Sequence, residues 1–123
     1  MVSRKITSVD DLSLKEISSI VNKALRFKKL PSQKKTNKPK NIFNLFLEAS
    51  TRTTISFELA SKKLGHNVIN VNFEKSSLSK GETFNDTMDT LISMKPDALI
   101  IRDKNNFSPH EIFKKHKIPI LNA

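Results

Sequence analysis

Four short apolar runs, at residues 42–47, 68–71, 98–101 and 118–121, alternate with segments of helical periodicity, and this alternation constrains the fold more than any other feature. The run at 98–101, Ala-Leu-Ile-Ile, is apolar throughout, as expected of a strand covered on both faces. Between the runs, Ile55, Leu59, Ala60 and Leu64 follow helical spacing and stop at Gly65. Phe84, Met88, Leu91 and Ile92 do the same and close before Pro96. Ser108-Pro109-His110-Glu111 is a capping box with Pro at the first helical position, opening a short helix with Ile112 and Phe113. An earlier box, Ser13-Leu14-Lys15-Glu16, opens a helix that should end before Pro31. Its stripe of Leu14, Ile17, Ile20, Val21, Ala24 and Leu25 is what a core-facing helix needs. The order is α, then β-α-β-α-β-α-β. It predicts an α/β fold: a parallel four-stranded sheet with helices on both faces, preceded by an N-terminal amphipathic helix.

In such sheets ligands lie beyond the carboxyl ends of the strands. One of those ends holds Ser50, Thr51, Arg52 and Thr53, between the run at 42–47 and the helix that follows. Unpaired backbone N–H groups and the positive end of a helix dipole gather at such a junction. Hydroxyl donors and a guanidinium would complete a pocket for a dianionic phosphate. The plainer alternative is that Ser50 or Thr51 merely caps the helix. Arg102 stands just past the run at 98–101, at a second carboxyl end. Its plainer alternative is an ordinary salt bridge to Asp103 or Asp97.

The 123 residues suffice for one domain with a single modest core. A formal charge of +10 raises a nucleic-acid reading. The cluster at Lys34, Lys35, Lys38 and Lys40 has no aromatic interleaving or recognition motif, so a solvated basic surface, on a mobile loop at 31–41, is the more economical account. Only four of the 22 basic residues are Arg, and two of those, Arg52 and Arg102, stand at strand ends where a planar fork has a use. With no Cys there are no disulfides or thiolate metal sites, which fits a reducing cytoplasm. His66, His110 and His116 are too widely spaced to suggest a metal, and no dinucleotide or Gly-rich phosphate loop is present. No apolar run approaches the length of a membrane span, and neither a secretory signal nor a mitochondrial presequence is expected at the N-terminus.

The run Phe-Leu-Glu-Ala-Ser-Thr-Arg-Thr at 46–53, followed by Ser56-Phe57-Glu58, resembles the carbamoyl phosphate signature of the aspartate and ornithine carbamoyltransferases. The resemblance implies that Ser50, Thr51, Arg52 and Thr53 grip the phosphate of carbamoyl phosphate, that Arg102 contacts the same substrate, and that no cofactor is needed. Ser76 to Thr83, with Lys80-Gly81-Glu82, is similar to a mobile loop of the aspartate enzymes whose Ser and Lys enter a neighbouring subunit's active site. Ser76 and Lys80 are the matching residues. That pattern favours aspartate over ornithine as acceptor and implies a homotrimer. By the resemblance Arg52, Arg102 and Lys80 are the catalytic residues, and the role is carbamoyl transfer to L-aspartate in pyrimidine biosynthesis.

Departures accompany the matches. Thr54 stands where many relatives carry a second Arg, and Asp103 where His is frequent. The resemblance runs through Pro119-Ile120-Leu121-Asn122-Ala123, and in the family a Gly-Asp-Gly turn, a His-Pro-x-Gln motif and an aspartate-binding domain come next. Residues 1–123 are therefore expected to be a truncated carbamoyl phosphate-binding domain, inactive alone, with L-aspartate a ligand only of an intact enzyme. The alternatives are an ornithine carbamoyltransferase-like domain, a non-catalytic remnant or split-gene product that needs a partner, and, last, a basic nucleic-acid binder.

Overall fold

The computed structural model describes residues 4–30, 32–73, 83–104 and 108–123. Strand β1 (Lys5–Ile6) and a single 3-10 turn (Val9–Asp11) lead into helix α1 (Leu14–Lys29). There follow β2 (Asn41–Phe46), α2 (Thr51–Lys63), β3 (Asn67–Asn72), α3 (Phe84–Ser93), β4 (Ala98–Arg102), α4 (Ser108–His116) and β5 (Ile120–Asn122). The five strands form one sheet in the order β1-β5-β4-β2-β3, with every pair parallel. The sequence predicts four of them. The fifth, β1, is two residues long and pairs Lys5 with Ile120 and Ile6 with Leu121. Two residues are too few to display a period of two, so only the pairing reveals it.

Strand alternation divides the sheet into two faces. Phe43, Leu45, Leu99, Ile101 and Ile120 point to one side, where Met88 of α3 and Ile112 of α4 join them in the buried core. Asn44 and Asn70 point to the other, where Glu58 of α2 meets Asn70. Helices thus lie on both faces, but the apolar core lies on one.

Helix α2 ends as its sequence requires. Gly65 has φ +86°, and the N–H of His66 bonds to the carbonyl of Ser61 at 2.9 Å, closing a Schellman motif. A Cβ at Gly65 would come within 3.1 Å of Lys35 Cβ and 3.4 Å of Thr36 N. Gly65→Ala is therefore expected to cost roughly 1–2 kcal/mol of stability from the left-handed backbone alone, read as a lower denaturation midpoint. The loop expected to be mobile is anchored here, by Thr36 N–H to the Leu64 carbonyl at 2.8 Å and Lys40 N–H to His66 Nδ1 at 3.2 Å.

Helix α1 corrects an expectation. Its capping box forms, with Glu16 N–H bonded to Ser13 Oγ and Ser13 N–H to the Glu16 carboxylate. Yet none of its residues is buried, and Leu14 is 84% exposed, with Ile20, Val21 and Leu25 each at least half exposed. Periodicity shows that one face of a helix is apolar. It does not say which surface covers that face, and among the described residues none does.

The cap also gives the fold an acid limb. Glu16 is held down to about 2 from its ordinary 4.5, first by the Ser13 backbone N–H and then by Arg4. A depressed carboxylate stabilises the folded state fully above its unfolded pKa and loses that contribution as pH falls through the folded one. Stability should therefore fall between about pH 4.5 and 2, and thermal midpoints measured across that range should fall less steeply in Glu16→Gln.

Candidate functional site

The chain leaves β2 and moves to β3 on one side. It returns at β4 and continues to β5 on the other, where the N-terminal β1 forms the edge. The strand order therefore reverses between β2 and β4, and a crevice beyond their carboxyl ends is where an open α/β sheet binds ligands. Phe46 and Arg102 are register partners at those two ends, and the Leu47 N–H bonds to the Arg102 carbonyl at 2.8 Å. Ser50 follows three residues later as the residue before α2. Topology thus brings two segments fifty residues apart to one rim.

The first turn of α2 differs from the other helix starts. Ser8, Ser13 and Thr83 each accept a hydrogen bond from a backbone N–H of the helix they precede, whereas Ser50 makes no such cap. Instead Ser50 Oγ donates to Thr53 Oγ1 at 2.9 Å, and Thr54 Oγ1 donates back to the Ser50 carbonyl at 2.8 Å. The turns opening α1, α3 and α4 each carry an acid, Glu16, Asp86 and Glu111, and that of α2 carries none. Among the described residues, the first turn of this helix therefore has neither a side-chain cap nor an acid of its own. Arg52 adds a further positive charge there, exposed and without an ion pair among the described residues. The simple cap that the sequence left open as the plainer reading of Ser50 is not formed.

Arg102 is held differently. Its Nε lies 2.7 Å from Glu48 Oε1, an ion-pair distance, although the N–H is not directed at that oxygen and forms no hydrogen bond. Nη1 donates to the Ala123 carbonyl at 3.4 Å. Neither acid suggested by the sequence is its partner. Asp103 accepts from Ser108 Oγ at 2.6 Å, and Asp97 binds the Asn41 N–H at 2.8 Å and Lys40 at 3.5 Å. The partner is Glu48, the acid in the Phe-Leu-Glu run, whose role sequence reasoning missed. Its signal was position: the second residue after the last of β2 lies beside the neighbouring strand end.

A cavity of about 370 Å³ adjoins the turn, with Asn44, Glu48, Ser50, Thr51, Thr54 and Asn70 on its polar side and Phe46 and Ile55 among its apolar lining. Arg52, Thr53 and Arg102 are not on its wall. The Arg102 side chain meets it through Glu48. Ser76 and Lys80 lie outside the described residues. The three His side chains have other partners: Lys40 N–H for His66, Lys5 for His110 and Asp89 for His116. Among the described residues no group of three or more His, Cys, Asp or Glu could hold a metal, and no helix is long and apolar enough to cross a membrane.

This geometry coincides with a known family. Residues 4–123 match the family described as aspartate/ornithine carbamoyltransferase, carbamoyl-P binding domain. The chain belongs to that family. Over 122 residues it is 43% identical to the aspartate carbamoyltransferase catalytic subunit of Solibacter usitatus, covering 96% of this chain and 40% of that protein. Among solved structures it is similar to aspartate transcarbamoylase from Trypanosoma cruzi in complex with aspartate and phosphate, with a TM-score of 0.84 at 33% identity, over 98% of this chain and 40% of that one. It is also similar to the anabolic ornithine carbamoyltransferase from Campylobacter jejuni, with a TM-score of 0.80 at 32% identity, over 98% of this chain and 39% of that one. The chain thus spans about two-fifths of the length of the relatives it matches. The family match at residues 4–123 spans all five strands, including the β1 that the sequence did not predict.

Proposed function

We propose that this chain is the carbamoyl phosphate-binding part of an aspartate carbamoyltransferase. The observation that carries this reading is the uncapped, acid-free first turn of α2, next to Arg102 at the switch point of the sheet. The phosphate takes the free N–H groups of that turn, the hydroxyls of Ser50, Thr51 and Thr53, and the Arg52 guanidinium. Arg102 turns from Glu48 to the substrate. Its Nε–H has no hydrogen bond to give up, so the exchange costs an ion-pair contact and gains a charge-assisted hydrogen bond. One of the Trypanosoma cruzi structures at 32% identity holds carbamoyl phosphate, which supports the choice of ligand.

In the intact enzyme the L-aspartate amine attacks the carbamoyl carbon. A C–N bond forms, the C–O bond to phosphate breaks, and the amine gives up a proton. Donors aimed at the leaving phosphate stabilise the charge that develops there, each worth roughly 3 kcal/mol. Ser76 and Lys80 complete the site of a neighbouring subunit in a cytoplasmic homotrimer. The half-exposed Ile55 and Leu59 on α2 supply apolar surface for such an assembly. The Lys80-Gly81-Glu82 pattern favours aspartate over ornithine as acceptor. Transfer requires more than these 123 residues, in keeping with their spanning about two-fifths of the length of the carbamoyltransferases they match. Incubating the purified chain with carbamoyl phosphate and L-aspartate should give saturable carbamoyl phosphate binding and no carbamoyl-aspartate. Substantial turnover would refute the incomplete-site reading, and absence of binding would refute the assignment of the site.

A further inference from the structure

The helix that carries the anion turn is poorly anchored by apolar packing. Ser61 is its only fully buried residue, while Ile55 is 55% and Leu59 50% exposed. What joins it to the sheet is polar. Lys62 Nζ donates to Glu58 Oε1 at 2.6 Å, Asn70 Nδ2 donates to Glu58 Oε2 at 2.6 Å, and Asn44 Nδ2 donates to Asn70 Oδ1 at 2.9 Å. The relay runs from the surface of α2 across edge strand β3 to the middle of β2.

Its direction is fixed from one end. Lys62, and next Asn70, hold the Glu58 carboxyl below its usual range, so it is ionised at neutral pH and can only accept. Asn70 must then present its NH₂ to Glu58 and its oxygen to Asn44. Asn44 must in turn donate, which leaves its own Oδ1 buried without a partner. A fully buried Asn with one unsatisfied atom, in the centre of a sheet, is unfavourable compared with an apolar side chain. That cost has a counterpart if the hydrogen bond sets geometry. Asn44 also lies two residues before the end of β2, so through Asn70 and Glu58 it links the strand that delivers the anion turn to the helix that carries it.

We infer that Asn44, Asn70 and Glu58 are positioning residues, which set the orientation of α2 and through it the placement of the Ser50–Thr53 donors on a bound oxyanion. The inference rests on the proposed anion site for its functional consequence, and on the relay alone for its structural one. The test uses the 123-residue chain, isotope-labelled, with inorganic phosphate as the probe. Residual dipolar couplings of the α2 amides report helix orientation, and amide shifts during titration report affinity. Asn70 is exposed, so Asn70→Ala should fold. Glu58→Gln keeps the shape but loses the acceptor-only end, and Asn44→Val removes the buried polar group.

The expected result is that all three variants reorient α2 and weaken phosphate binding about tenfold, the scale of a sub-ångström to ångström misplacement. Asn44→Val should do so with a thermal midpoint no lower than that of the unaltered chain, which a merely structural role would not produce. Unchanged couplings and affinity in Asn70→Ala would overturn the inference. If the unaltered chain does not bind phosphate, the proposed site fails and the couplings alone decide whether the relay orients the helix.

Discussion

Replacing Arg52 with Ala should weaken phosphate and carbamoyl phosphate binding by about 10- to 100-fold, which is the loss of one charge-assisted interaction of roughly 1.5–3 kcal/mol. The fold should be indifferent. Arg52 is exposed and has no ion pair among the described residues. Its truncation should therefore move unfolding free energy by no more than about 0.5 kcal/mol. Calorimetric titration beside chemical denaturation separates the two effects. Equal affinity in Arg52→Ala and the unaltered chain would remove this side chain from the site. A loss that merely follows destabilisation would make it structural.

Arg102 should behave differently because it is already engaged. Its side chain is 36% exposed and that of its partner Glu48 22% exposed, so the pair sits between a surface bridge and a buried one. Arg102→Ala leaves the Glu48 carboxylate without its counter-charge and should cost about 1–2 kcal/mol of stability as well as about tenfold in phosphate affinity. Adding Glu48→Gln should restore most of the stability, since the stranded charge is gone, and none of the affinity contributed by Arg102. That split between the two measurements is the expected signature of a cation shared between an internal carboxylate and an external anion. Recovery of affinity in the double variant would show that Arg102 serves only to neutralise Glu48.

Much of the fold was legible because its signals are local. The apolar run at 42–47, the helical spacing after it and Gly65 specify strand, turn and helix without help from the rest of the chain, and all three are found where expected. The features that escaped are those that depend on a partner. β1 becomes a strand only by pairing with β5. The stripe of α1 is real, but nothing in periodicity distinguishes a core of this chain from a surface supplied by other residues. Asn44 sits in the middle of a run read as apolar, and its polarity is explained only by Asn70 and Glu58, twenty-six and fourteen residues away.

The candidate site divides along the same line. Ser50, Thr51, Arg52 and Thr53 were legible because four polar side chains at a strand–helix junction form a compact local pattern. The packing of Arg102 against Glu48 was not, since Asp103 and Asp97 are nearer in sequence and equally charged. They are taken by Ser108 and by Lys40 with the Asn41 amide. The plainer alternative for Arg102 named the wrong acids because neighbouring residues in a strand point to opposite faces. Register across β2 and β4 decides the pairing instead.

The most direct test of the central claim is a titration of the isotope-labelled chain with carbamoyl phosphate, following backbone amides and arginine Nε–H resonances. If an oxyanion sits on the first turn of α2 beside Arg102, the amides of residues 51–54 and the Nε–H signals of Arg52 and Arg102 should shift together, saturably, and be reversed by inorganic phosphate. Shifts confined to the lysine cluster at 34–40 that fade as salt is raised would contradict it, and would leave the strand–helix junction with no ligand to hold.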